Sequence, residues 1–131
     1  MQVEIYPLYE RKSLAPVCAA WSFSEWGCLE ANPRSLQQVV DGYVERASRQ
    51  DLLPQTWISL VDGKPAGMAS LKQDDHATYK EKSPWLASLF VHPAFRGKGI
   101  ANILCDIVIA DARTRRYPAL YLFTDAAQDY Y

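Results

Sequence analysis

The chain has 131 residues, of which 49% are apolar and 22% charged, the size and balance of one domain (1–131) with a modest core. A formal net charge of −1 supplies no global basic field, so nucleic acid is not an expected partner. No stretch approaches the roughly 20 apolar residues of a membrane span, and the start, Met1-Gln2-Val3-Glu4-Ile5, has neither the basic residues nor the apolar run of a signal peptide.

Gln2 to Tyr6 reads as a short first strand. Leu14, Val17, Cys18 and Trp21 recur at helical spacing, predicting a helix over 13–25 with Ser13 as N-cap and Pro16 in its first turn. Residues 27–33 read as a break. Ser35-Leu36-Gln37-Gln38 matches a capping box, and Leu36, Val39, Val40, Tyr43 and Val44 continue a stripe that predicts a second helix ending near Gln50. Gln55 to Val61 reads as a strand, Asp62-Gly63 as a hairpin turn, and Ala66 to Leu71 as the returning strand. Lys72 to Ser83 is polar and reads as a loop or a strand extension. Trp85 to Val91 is an apolar central strand. A helix follows over 100–113, with Ile100, Ile103, Leu104, Ile107 and Val108 on one stripe, and Ala119 to Phe123 is a fifth strand. The final strand-helix-strand unit predicts a parallel pair joined by a right-handed crossover, and the hairpin predicts antiparallel neighbours. The fold class is therefore α/β: a mixed, mainly antiparallel sheet with a central parallel pair and helices on both faces.

Between the central strand and its helix lies His92-Pro93-Ala94-Phe95-Arg96-Gly97-Lys98-Gly99. The first N–H groups of a helix lack partners within it and, with the helix dipole, attract anions. Gly97 and Gly99 let the backbone approach a phosphate, and Arg96 and Lys98 add charge. The segment is not a Walker loop, because Gly99 rather than a hydroxyl residue follows Lys98. It is not a dinucleotide fingerprint either, because counting from Gly97 places Asn102 where a third glycine or alanine belongs. A plain strand-turn-helix connection remains the simpler alternative. Cys18, Cys28 and Cys105 show no metal-ligand spacing and read as free thiols in a reducing, cytoplasmic setting; no metal is expected.

The pattern Val-x-Pro-x-x-Arg-Gly-x-Gly-x-Ala, set between strand and helix, resembles the acetyl-CoA site of the GNAT-type N-acetyltransferases. The resemblance is strongest from Trp85 to Tyr131 and implies the same element order. It implies that Leu89, Phe90 and Val91 present their backbone to the pantetheine arm. It implies that the N–H groups of Arg96, Gly97, Lys98, Gly99, Ile100 and Ala101 hold the diphosphate. Thr124, Ala127 and Tyr131 stand at the spacing of the family's Asn-x-x-Ala-x-x-x-Tyr, with Thr124 in place of Asn. Tyr131 then takes the role of protonating the departing thiolate, with Tyr130 as its neighbour; the alternative is that both are ordinary helix-face aromatics. The implied cosubstrate is acetyl-CoA and the implied reaction is direct attack by a primary amine on its thioester. The implied partner is a small-molecule or peptide amine; a homodimer is left open.

Two departures stand out. Relatives often carry Glu on the central strand where this chain has Ala87 and Trp85, which leaves the base unassigned among Glu25, Asp74, Asp75, His76 and His92. The family also continues with further strands beyond the position of Tyr131. A tail beyond this sequence, a partner chain or a truncated form would account for them, and the tail is the expectation. Trp21, Phe23, Trp26 and Trp85 are candidates to line an acceptor cleft or to pack in the core, and Glu25 and Glu30 to attract a cationic amine. The competing reading is a non-catalytic CoA-binding or protein-interaction module on the same fold.

Overall fold

The computed structural model describes residues 2–29, 32–50, 52–73, 84–117 and 120–122. The elements run in chain order as β1 (Val3–Pro7), α1 (Ala15–Glu25), α2 (Leu36–Ala47), β2 (Gln55–Val61), β3 (Lys64–Lys72), β4 (Trp85–Val91), α3 (Ile100–Thr114) and β5 (Tyr121–Leu122). The strands form one sheet in the order β1-β2-β3-β4-β5. The first three pairings are antiparallel, and β5 runs parallel to β4 through Trp85–Tyr121 and Leu86–Leu122.

The β2–β3 turn falls at Asp62 (φ 50°) and Gly63 (φ 83°), the positive-φ pair that matches the twist of two antiparallel strands. β2 has the expected bounds, and β3 extends further at both ends than the apolar pattern suggested, because backbone pairing carries through Lys64 and Lys72. Two irregularities bend the sheet. Between Ser59 and Leu60 the register on β3 steps from Gly67 to Pro65, which leaves Ala66 unpaired. Between the pairs Met68–Phe90 and Ser70–Ala87, two steps on β3 oppose three on β4. The extra β4 residue lies beside Ser88, which takes φ 54°, a left-handed conformation unusual for serine. Gly67 is needed where β3 nears this bulge, since a Cβ there would sit 2.7 Å from the Phe90 carbonyl oxygen.

Helices cover both faces of the sheet. On one face α1 and α2 pack through Ala15, Cys18, Ala19, Val39, Tyr43 and Ala47 against Ile58, Met68 and Phe90. On the other, Ile100, Leu104, Val108 and Ala112 of α3 meet Trp57, Ala69, Leu71 and Leu86. Burying a side chain the size of Leu104 contributes about 1.5–3 kcal/mol. The buried line on α3 follows i, i+4, i+8, i+12, a narrower band than the sequence pattern: Ile107 is half-buried and Ile103 is 38% exposed.

The start of α1 and the end of α2 differ from expectation. Two short 3-10 turns, 8–10 and 12–14, precede α1, so Ser13 lies inside the second of them. The N-cap is Leu14, without a side-chain bond, and Pro16 occupies the first turn as expected. The capping box of α2 is formed: Ser35 Oγ accepts from Gln38 N–H at 3.1 Å, and Gln38 Oε1 accepts from Ser35 N–H at 2.8 Å. The helix ends at Ala47 rather than near Gln50, where Ser48 Oγ donates to the Glu45 carbonyl. Its inner face is Val39, Tyr43 and Ala47, and Leu36 and Val44 are exposed.

Candidate functional site

The connection from β4 to α3 is built by its own residues. His92 Nδ1 accepts from Ala94 N–H at 3.0 Å and starts a single 3-10 turn over Pro93–Phe95. That contact gives His92 a structural role in the turn. Arg96 folds back, its Nε donating to the Val91 carbonyl at 2.8 Å with its guanidinium 5.8 Å from the Phe90 ring centroid. Gly97 and Gly99 both take φ 80°, and Gly99 is the N-cap of α3 with no side-chain bond to the helix. Nothing lies within 4 Å of a Cβ placed at either glycine, so it is the left-handed backbone and not crowding by the protein that calls for glycine.

The first bond inside α3 runs from Ile103 N–H to the Gly99 carbonyl at 3.2 Å. The amides of Gly97 to Asn102 therefore have no acceptor among the described residues, while Arg96 and Lys98 are exposed beside them. Unpaired backbone donors at a helix N-terminus, with two exposed cations in the same short loop, have the chemistry of a phosphate cradle.

Val91 faces this cradle by its backbone. His92 N–H donates to the Ala66 carbonyl at 2.8 Å, so the alternation of an antiparallel strand turns the polar groups of Val91 to the opposite edge of β4. The described pairing with β5 is confined to Trp85 and Leu86, below that point. Phe90 turns its side chain to the α1/α2 face, where it stacks obliquely on Trp21 with ring centroids 5.2 Å apart. Leu89 and Val91 instead pack toward α3.

A second concavity lies on the α1/α2 face. It encloses about 60 Å³ and is lined by Ser22, Arg34, Tyr43, Arg46, Lys72 and Ser88, together with Val39 and Gly42. Arg46 organises it. Its Nη1 donates to Thr56 Oγ1 at 2.9 Å and reaches Ser70 Oγ at 3.4 Å, and the two hydroxyls bond each other at 2.8 Å. The guanidinium lies 4.3 Å from the Tyr43 ring centroid. The same cation draws down the Cys18 thiol, but burial outweighs it and pushes that thiol up to about 12, so Cys18 is inert packing at neutral pH. Sequence reading did not find this pocket; its only local signal was the pairing of small hydroxyl residues with an otherwise apolar strand face.

The remaining candidates divide as follows. The pairs Trp85–Lys72 and Ala87–Ser70 place Trp85 and Ala87 on the pocket's face of the sheet, yet Trp85 is buried and does not line the pocket. Trp21 and Phe23 pack against the α1/α2 core, whereas Trp26 is exposed. Glu25 is exposed at the end of α1 and is not part of the pocket lining. Cys28 is exposed and Cys105 half-buried, and neither is in a disulfide. Thr124, Ala127, Tyr130 and Tyr131 lie outside the described residues, as do Glu30, Asp74, Asp75 and His76. Among the described residues no cluster of His, Cys, Asp and Glu could hold a metal ion, and no helix is long and apolar enough to cross a membrane.

Residues 17–131 match the family model described as the acetyltransferase (GNAT) family. No curated protein matches the sequence. Solved structures share the fold at low identity. A predicted acetyltransferase from Clostridium acetobutylicum, solved with acetyl-CoA, is 17% identical with a TM-score of 0.69, over 95% of this chain and 82% of that one. The aminoglycoside acetyltransferase AAC(6')-Iy, solved with a CoA-based bisubstrate analogue, is 16% identical with a TM-score of 0.74, over 99% and 84%. A ribosomal-protein-alanine N-acetyltransferase from Brucella melitensis is 21% identical with a TM-score of 0.62, over 98% and 84%.

Proposed function

The chain belongs to the GNAT acetyltransferase family, and from that membership we propose that it transfers an acetyl group from acetyl-CoA to a primary amine by direct attack. The observation that carries the reading is the set of unpartnered amides from Gly97 to Asn102 at the N-terminus of α3, flanked by Arg96 and Lys98. These groups fit a diphosphate, and the Val91 N–H, turned to the β4 edge away from β3 and without an acceptor among the described residues, fits an extended amide-bearing arm leading away from it. Leu89 and Phe90 complete that strand segment, and Ile100 and Ala101 complete the helix start.

In this reading the acceptor nitrogen attacks the thioester carbonyl carbon. The C–N bond forms, the C–S bond breaks, and the proton lost by the amine balances the one gained by the thiolate. In the same reading the Val91 N–H polarises the carbonyl. Tyr131 is assigned the thiolate proton, and Thr124 a contact to the cosubstrate, both from the resemblance of their spacing. The base is a water chain or a residue still to be found, since Ala87 and Trp85 cannot serve.

Calorimetric titration of acetyl-CoA into the full chain, with ATP as control, tests the cradle. Acetyl-CoA is expected to bind and ATP to bind far more weakly. Gly99→Glu, which sets a carboxylate at the anion site and strains the φ 80° backbone, should weaken binding by about a hundredfold or more, about 2.7 kcal/mol. Gly99→Asn, which tolerates the left-handed region, should retain most of it. Equal binding of ATP, or an unaffected Gly99→Glu chain, would overturn the assignment. Tyr131→Phe should lose turnover and keep acetyl-CoA binding. Binding without turnover of any amine would instead favour the non-catalytic module.

A further inference from the structure

We propose that the pocket between α1, α2 and the β4 bulge receives a carboxylate of the acceptor, so that the substrate is a primary amine that also carries a carboxylate, an amino acid or a peptide end. This names the substrate class of the acetyl transfer proposed above and rests on it. Three cationic side chains from three separate segments line this one small space: Arg34 before α2, Arg46 on α2 and Lys72 at the end of β3. No acidic residue lines it among the described residues. Neither Arg34 nor Arg46 forms an ion pair among them, whereas Arg49 and Arg115 pair with Glu45 and Asp111.

Arg46 is the telling member. It is half-buried, held in place by Thr56, Ser70 and the Tyr43 ring, and its Nε is shielded from solvent with no hydrogen-bond partner. Arg49 Nε is shielded in the same way, but Arg49 pairs with Glu45; a half-buried guanidinium with no acidic partner among the described residues gains from an anion beside it. Its planar fork suits a carboxylate, and hydroxyls of Ser22, Tyr43 and Ser88 offer neutral donors around it.

The position fits an acceptor. Ser88 lines the pocket and lies three residues before Val91 on the bulged stretch of β4. An acceptor whose amine lies several bonds from its carboxylate, a short peptide or an amino acid with a side-chain amine, can span from the pocket toward the thioester. The surrounding cations also disfavour the protonated amine. That supplies neutral nucleophile where Ala87 and Trp85 offer no base. The same charges repel a polycationic acceptor such as an aminoglycoside.

The test uses the full chain and acetyl-CoA, reading acetylated product by mass spectrometry for amino acids and dipeptides, each beside its C-terminal amide, and for one aminoglycoside. The free carboxylates are expected to exceed their amides at least tenfold in kcat/KM and the aminoglycoside to be poorest. Arg34→Gln, at an exposed position that folding does not need, should raise KM for the carboxylate acceptor about tenfold, leaving kcat, the KM for the amides and the acetyl-CoA affinity nearly unchanged. Arg46→Lys should lose more than Arg34→Gln. Preference for the amides or for the aminoglycoside would overturn the proposal, as would an Arg34→Gln effect confined to acetyl-CoA binding. If no amine turns over, titration of the same amino acids and dipeptides decides: binding that needs the free carboxylate and is lost in Arg34→Gln keeps the anion pocket and removes the transfer reaction, and no binding removes the pocket itself.

Discussion

The two faces of the sheet solve different problems with the same kind of helix. The α3 face is apolar throughout its described core, with Leu104 and Val108 fully buried against Trp57, Ala69 and Leu71. Its polar chemistry is confined to the helix start, where the amides of Gly97 to Asn102 lack partners. The α1/α2 face interleaves the two. Ile58, Met68 and Phe90 pack beside Thr56, Ser70 and a half-buried Arg46. A rigid apolar support suits a site made of backbone groups, because the helix must only be held at one angle. A pocket made of side chains needs polar groups inside the sheet layer itself, each with its hydrogen bonds met.

The sharpest way to break the comparison is to cut the α3 support. Leu104→Ala removes most of a fully buried side chain on the buried line of α3, and it should cost about 2–5 kcal/mol by denaturant unfolding. If this packing serves stability alone and the loop's own bonds set the cradle, acetyl-CoA affinity measured well below the unfolding transition should stay within about threefold, less than 1 kcal/mol. A loss of affinity larger than the loss of folded chain would mean that the packing also sets the loop geometry.

The same contrast decides what the sequence revealed. The β4-loop-α3 unit is contiguous, and every cue in it is local: an apolar run, Pro93, the two glycines and a helical stripe. The hairpin at Asp62-Gly63 and the Ser35 capping box were legible for the same reason. The pocket on the α1/α2 face draws Ser22, Arg34, Arg46, Lys72 and Ser88 from five places in the chain, and no periodicity links them. The Ser88 bulge was invisible because a lone serine inside the apolar run Trp85–Val91 reads as strand, and its φ 54° accompanies the irregular pairing with β3 around Gly67. The stripe of α2 misled at both ends: Leu36 and Val44 are exposed, and small Ala47 is buried where the helix lies close to the sheet. Ser13 failed as an N-cap because the 3-10 turn over 12–14 took up the backbone just ahead of α1.

A smaller effect sharpens the α1/α2 side. Thr56→Val keeps shape and removes the hydroxyl that accepts from Arg46 and bonds Ser70. Leaving those buried groups short of a partner should cost about 1–3 kcal/mol in unfolding experiments. Adding Ser70→Ala should cost less than the sum of the two single changes, since both act on one network. Strict additivity would show that the hydroxyl pair does not hold Arg46.

The smallest effect reads the electrostatics of that layer through Cys18. Burial raises its thiol from the ordinary 9.0 to about 12 despite Arg46 nearby. The unfolded chain releases this proton near pH 9, and the folded chain keeps it until about pH 12. Over that window the folded state binds the extra proton, so stability falls as pH rises, by on the order of 1 kcal/mol per pH unit from this group. Below pH 9 the contribution is complete and flat. Cys18→Ala has no proton to lose, so the difference between its stability and that of the parent chain should shrink steadily from pH 9 upward. A difference that stays constant would mean that Cys18 ionises as readily folded as unfolded, and that Arg46 reaches it through a more polar layer than the packing of Ala15, Ala19 and Tyr43 implies.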